Sequence, residues 1–306
     1  MRILLFGTSQ IHNVRRLLEH NGNEVVFFTE EYFNMPKYMK PFLFLKMLKN
    51  IDLVYRVYSH PKYDWRLLLS KLAGKKTLTH WIGTDVLDAM REYRKLDITT
   101  KLSRTLIDLN LAGSPLLKEE LKEIGVEAVE IPILPSMKFP NMASMPRKHA
   151  VLVYAPEGKE FFYGMDYVKN LAKEYTNIIF HIVANSQDNL LLPNVIFHGK
   201  LSLDEMGKLY DEITILFRFP EHDGLSIMLL EALSRGKYVI YPYRFPNVFT
   251  PKSRNFEDVL SCFVSIITTT PTINNDGARF VRDVYNESNI LKMYNKVFIE
   301  IMKAGF

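Results

Sequence analysis

Two acids flanking a Gly-Leu-Ser turn are the residues of this 306-residue sequence best placed for chemistry. In FRFPEHDGLSIMLLEALSRGKYVIYP, residues 217–242, Asp223 precedes Gly224, Leu225 and Ser226, and Glu231 follows. Asp223 is an expected N-cap, because its carboxylate can accept from the first amides of a helix. Leu225, Met228, Leu229, Ala232 and Leu233 repeat at helical spacing, so the pattern predicts a half-buried helix over 224–234. Gly236 fits its stop. The start of such a helix offers N–H groups and a positive dipole end, which suit a phosphate. On a continuous helix Glu231 lies roughly 12 Å along the axis from Asp223, and about 80° around it. Carboxylates accept from hydroxyls and amides donate to phosphate. A ligand with hydroxyls at both ends and phosphates between them, as in a nucleotide-sugar, matches that order. The bare spacing equally describes a capped helix with a solvated acidic face.

The surrounding elements decide between the two. An apolar strand, Thr214–Phe217, runs into the acidic turn; the helix follows, then Arg-Gly, then a strand over Tyr238–Tyr241. That is a βαβ unit with its loop on the ligand side. The same alternation runs through the chain. Strands are expected at Arg2–Gly7, Glu24–Thr29, Asp52–Tyr58, Lys76–Trp81, Leu106–Ala112 and Val129–Leu134, then at Val151–Ala155, Ile178–Ala184 and Val195–His198, with helices between. Apolar runs of this kind argue for parallel sheets covered on both faces. Residues 135–149 carry three prolines without periodicity and read as a linker.

HDGLS followed by LLEALSRGKYVI resembles the donor-binding signature of the retaining glycosyltransferases of family 4. Their usual form is Glu-Gly-Phe-Gly-Leu-Pro, two more residues, Glu-Ala, and a small-residue-Gly stretch before a strand. Asp223 takes the first acidic position and Glu231 the second, and Ser226 replaces the usual proline. The resemblance implies an α/β GT-B architecture: two facing Rossmann-like domains with parallel sheets and a C-terminal helix that crosses back. The expected divisions are 1–140 on the acceptor side, 141–287 for the nucleotide-sugar, and 288–306 for that helix. It also implies that Asp223 touches the transferred sugar and Glu231 the ribose. Backbone groups of the FHGKLS loop, around Lys200, would hold the base. The donor would be a UDP- or GDP-sugar and no cofactor would be needed.

Several further loops carry candidates. Gly7-Thr8-Ser9 follows the first strand with a single glycine, so a dinucleotide fingerprint is not present. In the resembled family this loop faces the interdomain cleft, near the diphosphate or the acceptor. In LTHWIGTDVL, residues 78–87, His80 is read as lining the cleft and Asp85 as contacting an acceptor hydroxyl or acting as a base. The alternatives are a buried hydrogen-bonded histidine and a helix cap. APEGKEFFYG, residues 155–164, stands where the family has an arginine and a lysine on the diphosphate, yet Tyr163 occupies the usual lysine place. Lys159 and Arg218 are the candidates to supply the charge. Arg218 is favoured because an arginine ending an apolar strand is costly to bury without a partner. Asp-x-Asp occurs nowhere in the sequence and no His-acid cluster has metal spacing, so a metal-dependent GT-A transferase is not expected.

Composition narrows the rest. Two domains are the expectation for 306 residues, and 47% hydrophobic residues suffice for their cores. The single cysteine, Cys262, excludes an internal disulfide and fits a reducing compartment. MRILLFGTS reads as a first strand, not a signal peptide. Residues 1–110 hold 18 Lys and Arg against 11 Asp and Glu, and the remainder 21 against 23, so the net +5 belongs to the N-terminal part. That points to an anionic partner such as a phospholipid surface or a lipid-linked acceptor. No nucleic-acid-binding motif accompanies it. Residues 36–50, PKYMKPFLFLKMLKN, mix lysines with large apolar residues, as a segment lying on an anionic membrane does or as a surface helix covering the sheet does. The expected place is the cytoplasm, with peripheral contact at the inner membrane face. The expected activity is metal-independent sugar transfer with retention. Its rivals are a non-catalytic GT-B subunit that binds a nucleotide-sugar, and an epimerase or phosphorylase on the same fold.

Overall fold

The computed structural model describes residues 1–7, 10–28, 30–58, 64–93, 98–134, 139, 141–142, 144–186 and 192–303. The chain forms two units, one of Met1–Met137 with Glu287–Phe306 and one of Lys138–Asn286. Thr8, Ser9 and much of the expected linker lie outside the described residues.

Unit 1 is built on β1 (Arg2–Gly7), β2 (Glu24–Val26), β3 (Leu53–Val57), β4 (Lys76–Trp81), β5 (Leu109–Ala112) and β6 (Ala128–Glu130). They form one parallel sheet in the order β2-β1-β3-β4-β5-β6. Ile3, Leu4 and Leu5, like Leu53, Val54 and Tyr55, are buried at consecutive positions, which requires cover on both faces of the sheet. Gly7 has φ 146°, and a Cβ there would meet the Val57 carbonyl oxygen at 1.9 Å. This glycine is therefore needed for β1 and β3 to close.

Unit 2 carries β7 (Ala150–Tyr154), β8 (Ile179–Val183), β9 (Val195–Phe197), β10 (Ile215–Phe217) and β11 (Tyr238–Ile240). Its parallel order is β11-β10-β7-β8-β9. The chain steps outward from β7 through β8 to β9, then crosses to the other side of β7 for β10. The reversal between β7 and β10 is a topological switch point, the place where open α/β sheets leave a crevice beyond their strand ends.

The helices in chain order are α1 (Ile11–His20), α2 (Glu30–Asn34), α3 (Lys40–Leu48), α4 (Trp65–Leu72), α5 (Thr84–Tyr93), α6 (Ile98–Thr105), α7 (Pro115–Glu123), α8 (Met165–Glu174), α9 (Leu203–Glu212), α10 (Ile227–Ser234), α11 (Phe256–Ile267), α12 (Asn275–Val284) and α13 (Glu287–Lys303). Cys262 lies half-buried on α11 as a free thiol. Among the described residues no helix is long and apolar enough to cross a membrane.

A buried polar relay fastens α13 to the sheet of unit 1. The Tyr294 and Tyr55 hydroxyls are 3.2 Å apart, and Tyr55 Oη is 2.7 Å from His80 Nδ1. His80 Nε2 reaches the Ile131 carbonyl at 2.8 Å. A carbonyl only accepts, so Nε2 carries the proton and Nδ1 accepts from Tyr55. His80 is fully buried, and burial pushes its imidazole down from 6.5 to about 3, the Ile131 hydrogen bond opposing weakly. It is thus the hydrogen-bonded core histidine, not a residue lining a cleft. Asp85 is also fully buried, its Oδ1 accepting from the Gly83 amide at 2.8 Å and the Ile82 amide at 3.1 Å. It closes the turn that opens α5 and offers no surface to an acceptor. Both readings are corrected for the same reason: the partners lie on strands and turns far along the chain or in the backbone itself.

The His80 proton gives a testable pH dependence. Above pH 6.5 the imidazole is neutral in both the folded and unfolded chain. Below it the unfolded chain takes the proton and the folded one does not, so stability falls from pH 6.5 towards about 3. In denaturant titrations His80→Gln should lose stability less steeply over that range, by up to roughly 1.4 kcal/mol per pH unit. Parallel slopes for the two proteins would show that the buried imidazole does not titrate this way.

Candidate functional site

Strand register alone brings three side chains together at the switch point of unit 2. Phe217 of β10 pairs with Val153 of β7 and Ile240 of β11. The next residue on each strand is Arg218, Tyr154 and Tyr241, so these stand abreast at the carboxyl ends of neighbouring strands and share one face. The Arg218 amide donates to the Ile240 carbonyl at 3.0 Å, which carries the ladder one residue further. The guanidinium lies 5.1 Å from the Tyr154 ring centroid and 4.9 Å from that of Tyr163.

Asp223 closes this cage. Arg218 Nε donates to Asp223 Oδ2 at 2.9 Å and Nη2 to Oδ1 at 3.1 Å, a two-pronged pair with side chains only 9% and 12% exposed. Burial works against the Arg218 charge, but the charge and hydrogen bonds of Asp223, with Tyr163 and Tyr241, together outweigh it, so the guanidinium is held above its ordinary pKa. Burial, reinforced by the Asp223 charge, holds the Tyr241 phenol well above its usual range. Burial also raises Tyr163, against the pull of Arg218. The centre is thus a fixed cation paired with a carboxylate, beside two phenols, Tyr163 and Tyr241, that burial keeps protonated.

Two loops are laced around it. The Glu221 amide donates to the Phe162 carbonyl at 2.8 Å. Gly164, at φ 75°, packs so closely that a Cβ would sit 2.9 Å from the Phe219 carbonyl oxygen. Arg254 holds the second loop from outside, bonding the Pro220 carbonyl at 3.1 Å and Glu221 Oε1 at 3.0 Å while stacking 4.7 Å from the Phe219 ring centroid. The first loop is tied to the segment just after β8 through Glu160 Oε1, which accepts from Asn185 Nδ2 at 2.9 Å.

The helix after the acidic turn starts later than its periodicity predicts. α10 begins at Ile227, and Ser226 is its N-cap, accepting from the Leu229 amide at 3.3 Å. Asp223 is not the cap: its oxygens are taken by Arg218 and by the adjacent Gly224 amide at 3.1 Å. Ser226, where the resembled signature has proline, therefore sets the helix start, and the chain bends at Gly224 on its way to it. The Ile227 and Met228 amides occupy the first turn, where helix N–H groups have no intrahelical acceptor. Glu231 lies one turn further on. Its Oε2 accepts from Tyr210 of α9 at 3.1 Å, and burial raises its carboxyl pKa against the opposing effects of Tyr210 and Arg235. Arg235 stacks on the Tyr210 ring at 5.1 Å and pairs with Asp211 at 3.3 Å.

The remaining candidates separate. Lys159 and Lys200 are exposed on the loops after β7 and β9. Lys200 follows Gly199, whose carbonyl accepts from the Ala184 amide at 2.7 Å. Arg218 is the cation held in the switch-point cage. Tyr154 and Tyr241 were not read from the sequence as site residues. The signal available was their position: each directly follows a paired apolar strand position, abreast of Arg218. Among the described residues no group of three or more His, Cys, Asp or Glu could hold a metal ion.

No protein-family profile and no curated protein sequence matches the chain. Solved structures do. Sucrose-phosphate synthase from Thermosynechococcus elongatus superposes with a TM-score of 0.72 at 12% identity, covering 99% of each chain. The lipopolysaccharide outer core galactosyltransferase WaaB, in its apo form, gives 0.69 at 15% identity over 98% of this chain and 99% of its own. A UDP-forming α,α-trehalose-phosphate synthase from Burkholderia vietnamiensis gives 0.65 at 7% identity, covering 100% of both. The chain has the GT-B fold, with a parallel Rossmann-like sheet in each unit, and its structural neighbours are glycosyltransferases.

The lacing of the two loops makes a graded prediction. Gly158 and Gly164 both have positive φ, 76° and 75°, but nothing lies within 4 Å of a Cβ built on Gly158. Gly158→Ala should cost only backbone strain, about 1 kcal/mol. Gly164→Ala adds a collision with backbone and should cost about 2–4 kcal/mol. Equal losses in thermal unfolding would show that the loops are not closed against each other.

Proposed function

We propose that this chain transfers a sugar from a nucleoside-diphosphate sugar, with UDP or GDP as the leaving group, to a lipid-linked or other glycan acceptor. The observation that carries the reading is a buried guanidinium at the switch point of a parallel sheet, one loop from a helix N-terminus. Loss of a nucleoside diphosphate builds negative charge on the leaving oxygen. A fixed cation and helix amides aimed at that charge stabilise it without reorganising. The reading includes retention of configuration and no metal requirement, since Arg218 and the first turn of α10 supply the positive potential. Glu231 receives the ribose hydroxyls through its second oxygen while Tyr210 fixes the first. The fold likeness to UDP-forming and sugar-transferring enzymes supports the same class of reaction.

Asp223 has a double part in this reading. In the free protein it neutralises Arg218. A diphosphate is a stronger bidentate partner for a guanidinium, so donor binding would draw Arg218 away and free Asp223 for the sugar hydroxyls. A non-catalytic nucleotide-sugar-binding subunit is the second reading, favoured by Tyr163 in the expected lysine position. Binding without turnover across many acceptors would select it, and conversion of the donor without any acceptor would select an epimerase.

Titration calorimetry with UDP and GDP, followed by turnover assays over a panel of nucleotide-sugars with and without EDTA, tests the proposal. Arg218→Ala should weaken diphosphate binding at least about tenfold, and Glu231→Ala should weaken it more than Lys159→Ala. Binding of no nucleotide, or a reversed ranking, would remove the site assignment. Asp223→Asn offers a test of opposite sign. It leaves Arg218 buried without a counter-charge and should lower stability by about 3 kcal/mol, yet saturating UDP should raise its melting temperature more than that of the unaltered protein. An equal or smaller UDP effect would mean that Arg218 does not exchange Asp223 for phosphate.

A further inference from the structure

We propose that the corner formed by α2 and α3 in unit 1 docks on an anionic bilayer surface. Phe33 is 64% exposed, Tyr38 74% and Phe42 75%, with Met39 and Leu45 also exposed beside them. These side chains belong to one place. Lys40 Nζ donates to the Phe33 carbonyl at 3.1 Å and lies 5.5 Å from the Tyr32 ring centroid, which pins the start of α3 to the end of α2. The Met39 amide donates to the Pro36 carbonyl at 3.0 Å, so Tyr38 and Met39 form the turn between them.

The apolar surface is not spare packing. α3 already places Phe44 and Leu48 in the core with Leu4, Phe6 and Val54, and Phe44 meets Trp65 edge-on at 5.5 Å between centroids. On its other side Phe42, Leu45, Lys46 and Lys49 follow the i, i+3, i+4, i+7 spacing and are all exposed, so they form a single outward stripe. Lys37 is exposed on the turn. From Tyr32 to Ile51 the sequence contains four lysines and no acid; two glutamates, Glu30 and Glu31, precede it at the start of α2. An aromatic wedge rimmed by lysines is the surface chemistry that inserts at an interface and neutralises anionic headgroups. A second copy of this chain is a poorer occupant. Twofold pairing of the patch would set four lysines against four, with only Glu30 and Glu31 at the start of α2 to offset them.

The test uses the whole protein and no nucleotide, so its outcome is separate from that of donor binding. Flotation with phosphatidylcholine vesicles is compared with flotation on vesicles that also contain phosphatidylglycerol. The protein should float only with the anionic vesicles, and raised salt should release it. Each exposed lysine is worth about fivefold in partitioning, so Lys37→Glu with Lys46→Glu and Lys49→Glu should weaken binding by at least about 100-fold. Phe42→Ser with Leu45→Ser should reduce it while leaving the melting temperature unchanged, since both residues are exposed. No flotation on anionic vesicles, or equal flotation of the lysine variant, would overturn the proposal. So would a lipid-free dimer in gel filtration that Phe42→Ser dissolves.

Discussion

A buried guanidinium needs a counter-charge, and the arrangement of unit 2 around its switch point follows from that need. Taking a charge out of water costs several kcal/mol even after relaxation. Arg218 directly follows β10, and its amide bond to the Ile240 carbonyl holds it at the carboxyl end of the sheet. The acidic turn then has to fold back so that Asp223 reaches it. That return path fixes the turn over 219–225, and with it the point at which α10 can start. The rings of Tyr154 and Tyr163 complete the cage, offering their faces to the cation.

The two ends of the αβ unit divide the labour. At the cage, charge is paired, buried and rigidly held. Eight residues on, Glu231 sits in a half-buried site with one phenol on it, and burial raises its pKa more than Tyr210 and Arg235 lower it. The two ends therefore differ in kind: a cation and carboxylate paired with each other at one, and a carboxyl group held by a single phenol at the other. The interval between the two is set by the Ser226 cap and one turn of helix, so the spacing is a property of the backbone more than of any side chain.

Much of this was legible in the sequence, and the exceptions have physical reasons. β1 and β4 coincide with their predicted spans: β1 is an unbroken, buried apolar run, and β4 is buried along its length although Thr77, Thr79 and His80 are polar. β5 starts at Leu109 where Leu106 was expected, since Leu106 and Ile107 are apolar but belong to the turn after α6, and Asp108 instead caps the Thr77 amide. α10 starts three residues late because Asp223 and Ser226 compete for the cap, and only the position of Arg218 decides between them. α6 was not expected at all; ITTKLSRT has weak helical propensity and is held by its neighbours. His80 and Asp85 looked like site residues because loops at strand ends often are. Nothing in the local sequence shows that Tyr55, Ile131 and the Gly83 amide close them off.

The relay from Tyr294 through Tyr55 to His80 has a bearing on how the chain acquires its structure. Unit 2 is continuous in sequence, whereas unit 1 is interrupted by it and completed by α13. On a ribosome the six strands of unit 1 emerge first, yet the phenol that finishes their polar core arrives 239 residues after Tyr55. Until then Tyr55 lacks one partner and the face that α13 covers stays open to other apolar surfaces. The later-made unit can mature while the earlier one waits, so order of synthesis and order of completion are reversed, and truncation near the C-terminus should harm the N-terminal sheet first.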